Sequence, residues 1–160
     1  MAREGSLRLA QQALALRNKF PDCRPLFVRG RLVCDWEMQP DPASDRYRIH
    51  LEAEAESEAR IFVMDPQLIP NEAGELPHVY DYGGLCLNLR DEWHPRMLFT
   101  DTFVPWAAQW LIFYEIWRAT EVWEGDGPEF RDAQSQQALL HPYTGPIGVK
   151  FAGTIKGRHR

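Results

Sequence analysis

The chain has 160 residues, 44% of them apolar and 26% charged, with a formal net charge of −5. That profile suits one soluble domain with one core. It argues against nucleic acid as the main partner, which needs a basic footprint. No apolar run reaches the ~20 residues that span a bilayer.

The opening Met1-Ala2-Arg3-Glu4-Gly5 lacks a signal peptide's charged-then-apolar layout, so a cytoplasmic location without membrane contact is expected. Residues 6–19 predict a helix, because Leu9, Ala13, Leu16 and Phe20 recur on one face, with Leu7, Ala10 and Leu14 widening the stripe. Pro21 and Pro25 end it. Residues 26–36 predict a strand with Leu32, Cys34 and Trp36 on one face, and a proline-rich turn follows at residues 39–44. Residues 46–55 alternate strictly: Tyr47, Ile49, Leu51, Ala53 and Ala55 face one way, and charged residues face the other. This is the pattern of a half-buried antiparallel strand. A shorter strand, residues 59–64, stops at Asp65-Pro66.

Residues 67–82 form a long segment rich in turn formers, and such segments in compact domains are often functional. It leads through Gly83-Gly84 to Leu85-Cys86-Leu87-Asn88, followed by Trp93-His94-Pro95. Residues 103–118 predict a helix apolar on most sides, hence buried, with Trp106, Trp110, Phe113 and Trp117 along it. Residues 129–140 predict a weak third helix, and Lys150, Lys156, Arg158 and Arg160 belong to a solvated tail. A helix, a meander of three or four strands, a long loop and a buried helix make an α+β fold.

The three cysteines have no C-x-x-C spacing, so neither a metal site nor a cofactor is expected, and in a reducing compartment all three would be separate thiols. Cys34 reads as a small core residue and Cys23 as incidental. Cys86 has two readings, a core filler or a surface nucleophile that carries an acyl group. Gly83 and Gly84 would let another chain's extended tail approach closely. His78 and Asn88 are donors near the thiol that could stabilise an oxyanion. The sequence has no glycine-rich phosphate loop with which to activate a carboxylate through ATP.

The segment 76–95 resembles the active-site region of ubiquitin-conjugating enzymes. Cys86 falls on the catalytic cysteine, Leu85 and Leu87 on its apolar flanks, and Gly83 on the family glycine. Trp93 and Pro95 fall on the later tryptophan and proline, and Pro77 on the proline of an H-P-N motif. Leu76 and His78 replace the histidine and asparagine of that motif. Leu85-Cys86-Leu87, Glu92-Trp93-His94-Pro95-Arg96-Met97 and the run from Val104-Pro105-Trp106 to Tyr114-Glu115-Ile116-Trp117 are similar to the bacterial branch of cyclic-oligonucleotide antiphage signalling (CBASS).

The resemblance implies a ubiquitin-conjugating fold with an N-terminal helix, a four-stranded antiparallel meander, an active-site loop and a buried central helix. It implies a single domain over 1–160, with its core at about 5–120 and an altered region at 121–160. It implies a transferase that carries a partner's C-terminal glycine on Cys86 as a thioester and passes it to an amine. The partner would be a cGAS-like nucleotidyltransferase or a ubiquitin-like modifier, with a separate activating enzyme docking on the first helix near Arg3, Arg8, Arg17 and Lys19. Under this reading Cys86 is the nucleophile, His78 and Asn88 serve the oxyanion or the loop, and Gly83, Gly84 and Trp93 contribute to binding. Asp91, Glu92 and His94 are the nearest groups to take the amine proton. The series Glu52, Glu54, Glu56 and Glu58 reads as a solvated face or a docking surface. Two further readings stand beside this one: a non-catalytic binding module on the same fold, and an unrelated cysteine hydrolase.

Overall fold

The structure is a computed structural model describing residues 6–88 and 92–126. The expected third helix at 129–140 and the basic tail lie outside the described residues, as do Arg3 and Asp91. The first helix, α1, spans Leu9–Lys19. Four strands follow, β1 Leu26–Val28, β2 Arg31–Met38, β3 Tyr47–Ala53 and β4 Arg60–Asp65, and then the long helix α2, Phe103–Thr120. The strands form one antiparallel sheet in sequential order.

Residues 26–36 are a hairpin, where the alternation predicts one strand. Arg29 and Gly30 both have positive φ, 52° and 77°, which makes a two-residue turn whose twist matches that of paired strands. Leu26 then pairs with Val33 and Val28 with Arg31.

The sheet register follows the alternation. Cys34 pairs with Leu51, Trp36 with Ile49 and Met38 with Tyr47, so the buried faces of β2 and β3 coincide. Ile61 continues the row opposite Leu51. Each fully buried leucine or isoleucine in such a row contributes about 1.5–3 kcal/mol. Ala55, assigned to the same face by alternation, lies beyond the end of β3 and is exposed.

α2 packs behind this sheet with Trp106, Trp110 and Leu111 fully buried. Tyr47 donates to the Glu115 carboxylate at 2.8 Å, which joins β3 to α2. α1 buries a narrower stripe than the sequence predicts: Ala13 and Leu16 are buried, while Leu14 is exposed. Gln12 takes the space on that face. Its amide donates to the Met97 carbonyl at 2.9 Å and accepts from the Phe99 N–H at 2.8 Å.

Cys23 and Cys34 form a disulfide with Cα atoms 6.3 Å apart, which corrects the expectation of separate thiols. The turn after α1 is closed by the Cys23 N–H to the Phe20 carbonyl at 2.9 Å, and it turns Cys23 onto the buried face of β2. Spacing along the chain carries no sign of that meeting. Among the described residues no helix is long and apolar enough to cross a membrane.

Candidate functional site

The segment before Cys86 folds into a small hairpin. Val79 bridges Leu85, the Tyr80 N–H donates to the Gly84 carbonyl at 2.8 Å, and the Cys86 N–H donates to the His78 carbonyl at 2.9 Å. The Leu85 N–H reaches the Ile61 carbonyl at 2.9 Å, which docks the hairpin on β4. α2 holds it from behind: the Trp110 indole donates to the His78 carbonyl at 3.2 Å, and the Tyr114 hydroxyl accepts from the Ile69 N–H at 2.8 Å. Reading the α2 aromatics as core packing alone therefore misses part of their role. An indole N–H or a phenol on a buried stripe needs a partner, and that requirement is the signal that could have found them.

Cys86 is 2% exposed, so the thiol is not on the surface where the sequence reading puts it. Leu85 and Leu87 on either side are core residues and draw the backbone flat against the domain. The Tyr80 phenol stands against the Cys86 thiol. Burial first, and then its interaction with that thiol, hold the phenol well above its ordinary pKa.

His78 meets Cys86 through its backbone. Its imidazole packs on the Trp123 ring at 5.1 Å between centroids. Its φ of 55° lies in the left-handed region, where asparagine and histidine are among the side chains best tolerated. A histidine at the asparagine position of the H-P-N motif therefore suits this backbone conformation. Gly83 also has positive φ, 92°, and open space where a Cβ would stand. Gly84 does not face an empty groove. A Cβ there would lie 2.2 Å from the Tyr82 ring, so the close approach it allows is taken by its own chain. Tyr82 stacks on Tyr80 at 5.3 Å and 15°.

Beside the hairpin lies a cleft of about 520 Å³ lined by Glu56, Glu58, Tyr80, Tyr82 and Asn88, with Trp93 on its wall. Trp93 is largely a packing residue, stacked on Phe99 at 5.7 Å and tilted against Phe103 at 6.0 Å. The Asn88 amide donates to the Glu58 carboxylate at 3.0 Å. Partial burial raises the Glu58 carboxyl above the usual carboxylate range, and the Asn88 bond offsets part of that rise.

The acidic series read from the sequence thus divides. Glu54 pairs with Arg31 at 3.1 Å at the sheet edge and Glu56 turns into the cleft, while Glu58 lines both the cleft and the small cavity beside Arg31. The turn that separates them carries Glu56 at φ 57°. Glu92 is half-buried and His94 is exposed, and neither is among the described residues that line the cleft. Arg8, Arg17 and Lys19 are exposed on or beside α1. The arrangement offers a buried thiol under a phenol, an adjacent amide, and a carboxylate opening into a polar cleft.

No curated protein matches the sequence. A family model described as type II CBASS E2 protein matches residues 12–130. The match runs from α1 through the sheet, the Cys86 hairpin and α2, and on this evidence the chain belongs to the type II CBASS E2 family.

Proposed function

We propose that this E2-like protein, whose family gives it a conjugation role in CBASS, carries an acyl group on Cys86. The observation that carries the proposal is the position of the thiol. It is buried between two core leucines on the hairpin, with the Tyr80 phenol against it and Asn88, two residues on, lining a polar cleft.

The Cys86 thiolate attacks a partner's thioester carbonyl, forms a new C–S bond, and the old thiolate leaves. One thioester replaces another, so the step needs no ATP. The donor is the C-terminal glycine of a cGAS-like nucleotidyltransferase or of a ubiquitin-like modifier, activated by a separate enzyme in the cytoplasm. An amine then takes the acyl group. Asn88 and nearby backbone N–H groups stabilise the oxyanion, and His78 holds the loop through its carbonyl. Gly83 supplies the turn of the hairpin. With Cys86 2% exposed and Tyr80 against it, loading requires the hairpin to open the thiol.

Incubation with a synthetic peptide thioester ending in glycine, followed by intact mass and non-reducing gels, tests the chemistry. The expected product is a thiol-labile adduct on Cys86, absent from Cys86→Ala. Identical products from both proteins overturn the proposal. Co-expression with a cGAS-like nucleotidyltransferase tests the partner, because the Cys86 peptide should then carry that protein's terminal glycine.

The burial of Cys86 favours a second reading, a non-catalytic module that binds the same partner. Partner binding that survives Cys86→Ala, with no adduct on the wild type, selects it.

A further inference from the structure

Aminolysis of a thioester needs a group that takes a proton from the incoming amine, since lysine arrives as an ammonium ion. The sequence nominates Asp91, Glu92 and His94. The geometry points to a different residue. We infer that Glu58, in the cleft beside Cys86, receives the acceptor lysine and takes its proton; this rests on Cys86 carrying the thioester proposed above.

Three observations converge on Glu58. Its carboxylate accepts the Asn88 amide hydrogen, so a residue two positions from the thiol fixes it. Tyr80 lies between the two groups in the sense that its phenol stands against Cys86 and lines the same cleft as Glu58, whose charge it feels. Glu58 and Glu56 line one cleft with the stacked faces of Tyr80 and Tyr82. Carboxylates beside aromatic faces are a setting that attracts an ammonium ion.

The titratable and charged groups around Glu58 are Glu56 from its own turn, Arg60 from β4, Tyr80 and Tyr82 from the hairpin, and Arg31, Glu52 and Glu54, which line a small neighbouring cavity with it. Arg60 is drawn over the Tyr82 ring, at 5.9 Å from its centroid. A Glu58 carboxyl raised above the ordinary range is a better proton acceptor near neutrality than a solvated one.

The step balances without a further reactant. The lysine ammonium gives one proton to the Glu58 carboxylate and becomes a neutral amine. The nitrogen lone pair forms the C–N bond at the thioester carbonyl. As the C–S bond breaks, its electron pair goes to the Cys86 sulfur, which takes the second nitrogen proton. Glu58 then releases its proton to water. The products are an amide, the Cys86 thiol and one proton.

Glu58→Gln keeps the oxygen that accepts from Asn88 and removes the proton acceptor. Wild type and variant are loaded with the same peptide–glycine thioester and then discharged with free lysine or with hydroxylamine, which is already neutral at the assay pH. The expected result is normal loading, normal hydroxylamine discharge and lysine discharge slowed by about tenfold or more. The wild-type rise of lysine discharge with Glu58 ionisation should also be lost from the pH profile. Lysine discharge within about threefold of wild type overturns the role of Glu58 and leaves the thioester intact. Slowing of both nucleophiles together also overturns it, because Glu58 would then act only on the shape of the site. A wild type that never loads overturns the thioester reading, and the Glu58 role falls with it.

Discussion

Cys34 and Cys86 are equally buried, each 2% exposed, yet they occupy opposite kinds of place. Cys34 stands in the core row of β2, opposite Leu51, and is cross-linked to Cys23. Cys86 stands between core leucines on a hairpin, against Tyr80, and its neighbours Leu85 and Asn88 line a polar cleft. Burial alone therefore says little about what a cysteine does. Its neighbours differ: an apolar row makes a thiol into packing, whereas a phenol and a nearby amide make Cys86 a candidate for chemistry.

The sharpest way to break this contrast is to remove each thiol in turn. Cys86→Ala should abolish thioester loading and leave the fold intact, while Cys34→Ala should leave loading on Cys86 and cost about 2–3 kcal/mol through the lost cross-link. Urea unfolding and intact mass read the two effects. Alkylation of the unfolded, unreduced protein should modify only Cys86, and reduction should expose all three cysteines.

Trp110→Phe probes what holds the Cys86 region in place. It removes the indole bond to the His78 carbonyl and leaves a small cavity, at a cost of about 1–3 kcal/mol. Loading should slow with it. Trp117→Phe, on the same helix, should destabilise without slowing loading. Equal slowing by both would mean that α2 supports the hairpin only through general packing.

Gly84→Ala forces the exposed Tyr82 ring away, since the added Cβ would sit 2.2 Å from it. A surface ring moves at low cost, so stability should change by less than about 1 kcal/mol. Tyr80 would lose its stacked neighbour, and loading should quicken about threefold as its hold on the sulfur weakens. Tyr82→Ala alone should give the same rate, and the double variant no more than either.

The smallest effect is on stability at Glu58. Its carboxyl is raised in the fold, so the folded state holds that proton more tightly than the unfolded chain does. The stabilising contribution is complete in acid, below the unfolded pKa, and is lost as pH rises through the folded one. Glu58→Gln should therefore raise stability slightly at neutral pH and not in acid. The gain should be only tenths of a kcal/mol because the group is partly exposed. Thermal unfolding at the two pH values checks the sign.

Much of the scaffold was legible in the residues because it rests on local periodicity. β3 alternates apolar and charged side chains, and the structure buries Tyr47, Ile49, Leu51 and Ala53 as that alternation predicts. The apolar run of α2 likewise called for a buried helix. The β1–β2 turn was missed because Arg29-Gly30 interrupts an otherwise continuous apolar run, and only the pairing of Leu26 with Val33 reveals the reversal. The site was legible only in part. Cys86, the glycines and the tryptophan–proline turn lie close together in the chain, whereas Glu58 is 30 residues from the Asn88 that it bonds.

The sequence by itself determined the α+β order, the buried faces of the strands and the cysteine that merits attention, because side-chain period and turn chemistry are properties of neighbouring residues. The tertiary structure decided that Cys23 meets Cys34, that Cys86 meets Tyr80, that Trp110 holds the His78 carbonyl, and that Glu58 bonds Asn88 at the cleft. Those relations depend on how a turn, a sheet edge and a helix pack together, and no local pattern records distances between segments far apart in the chain.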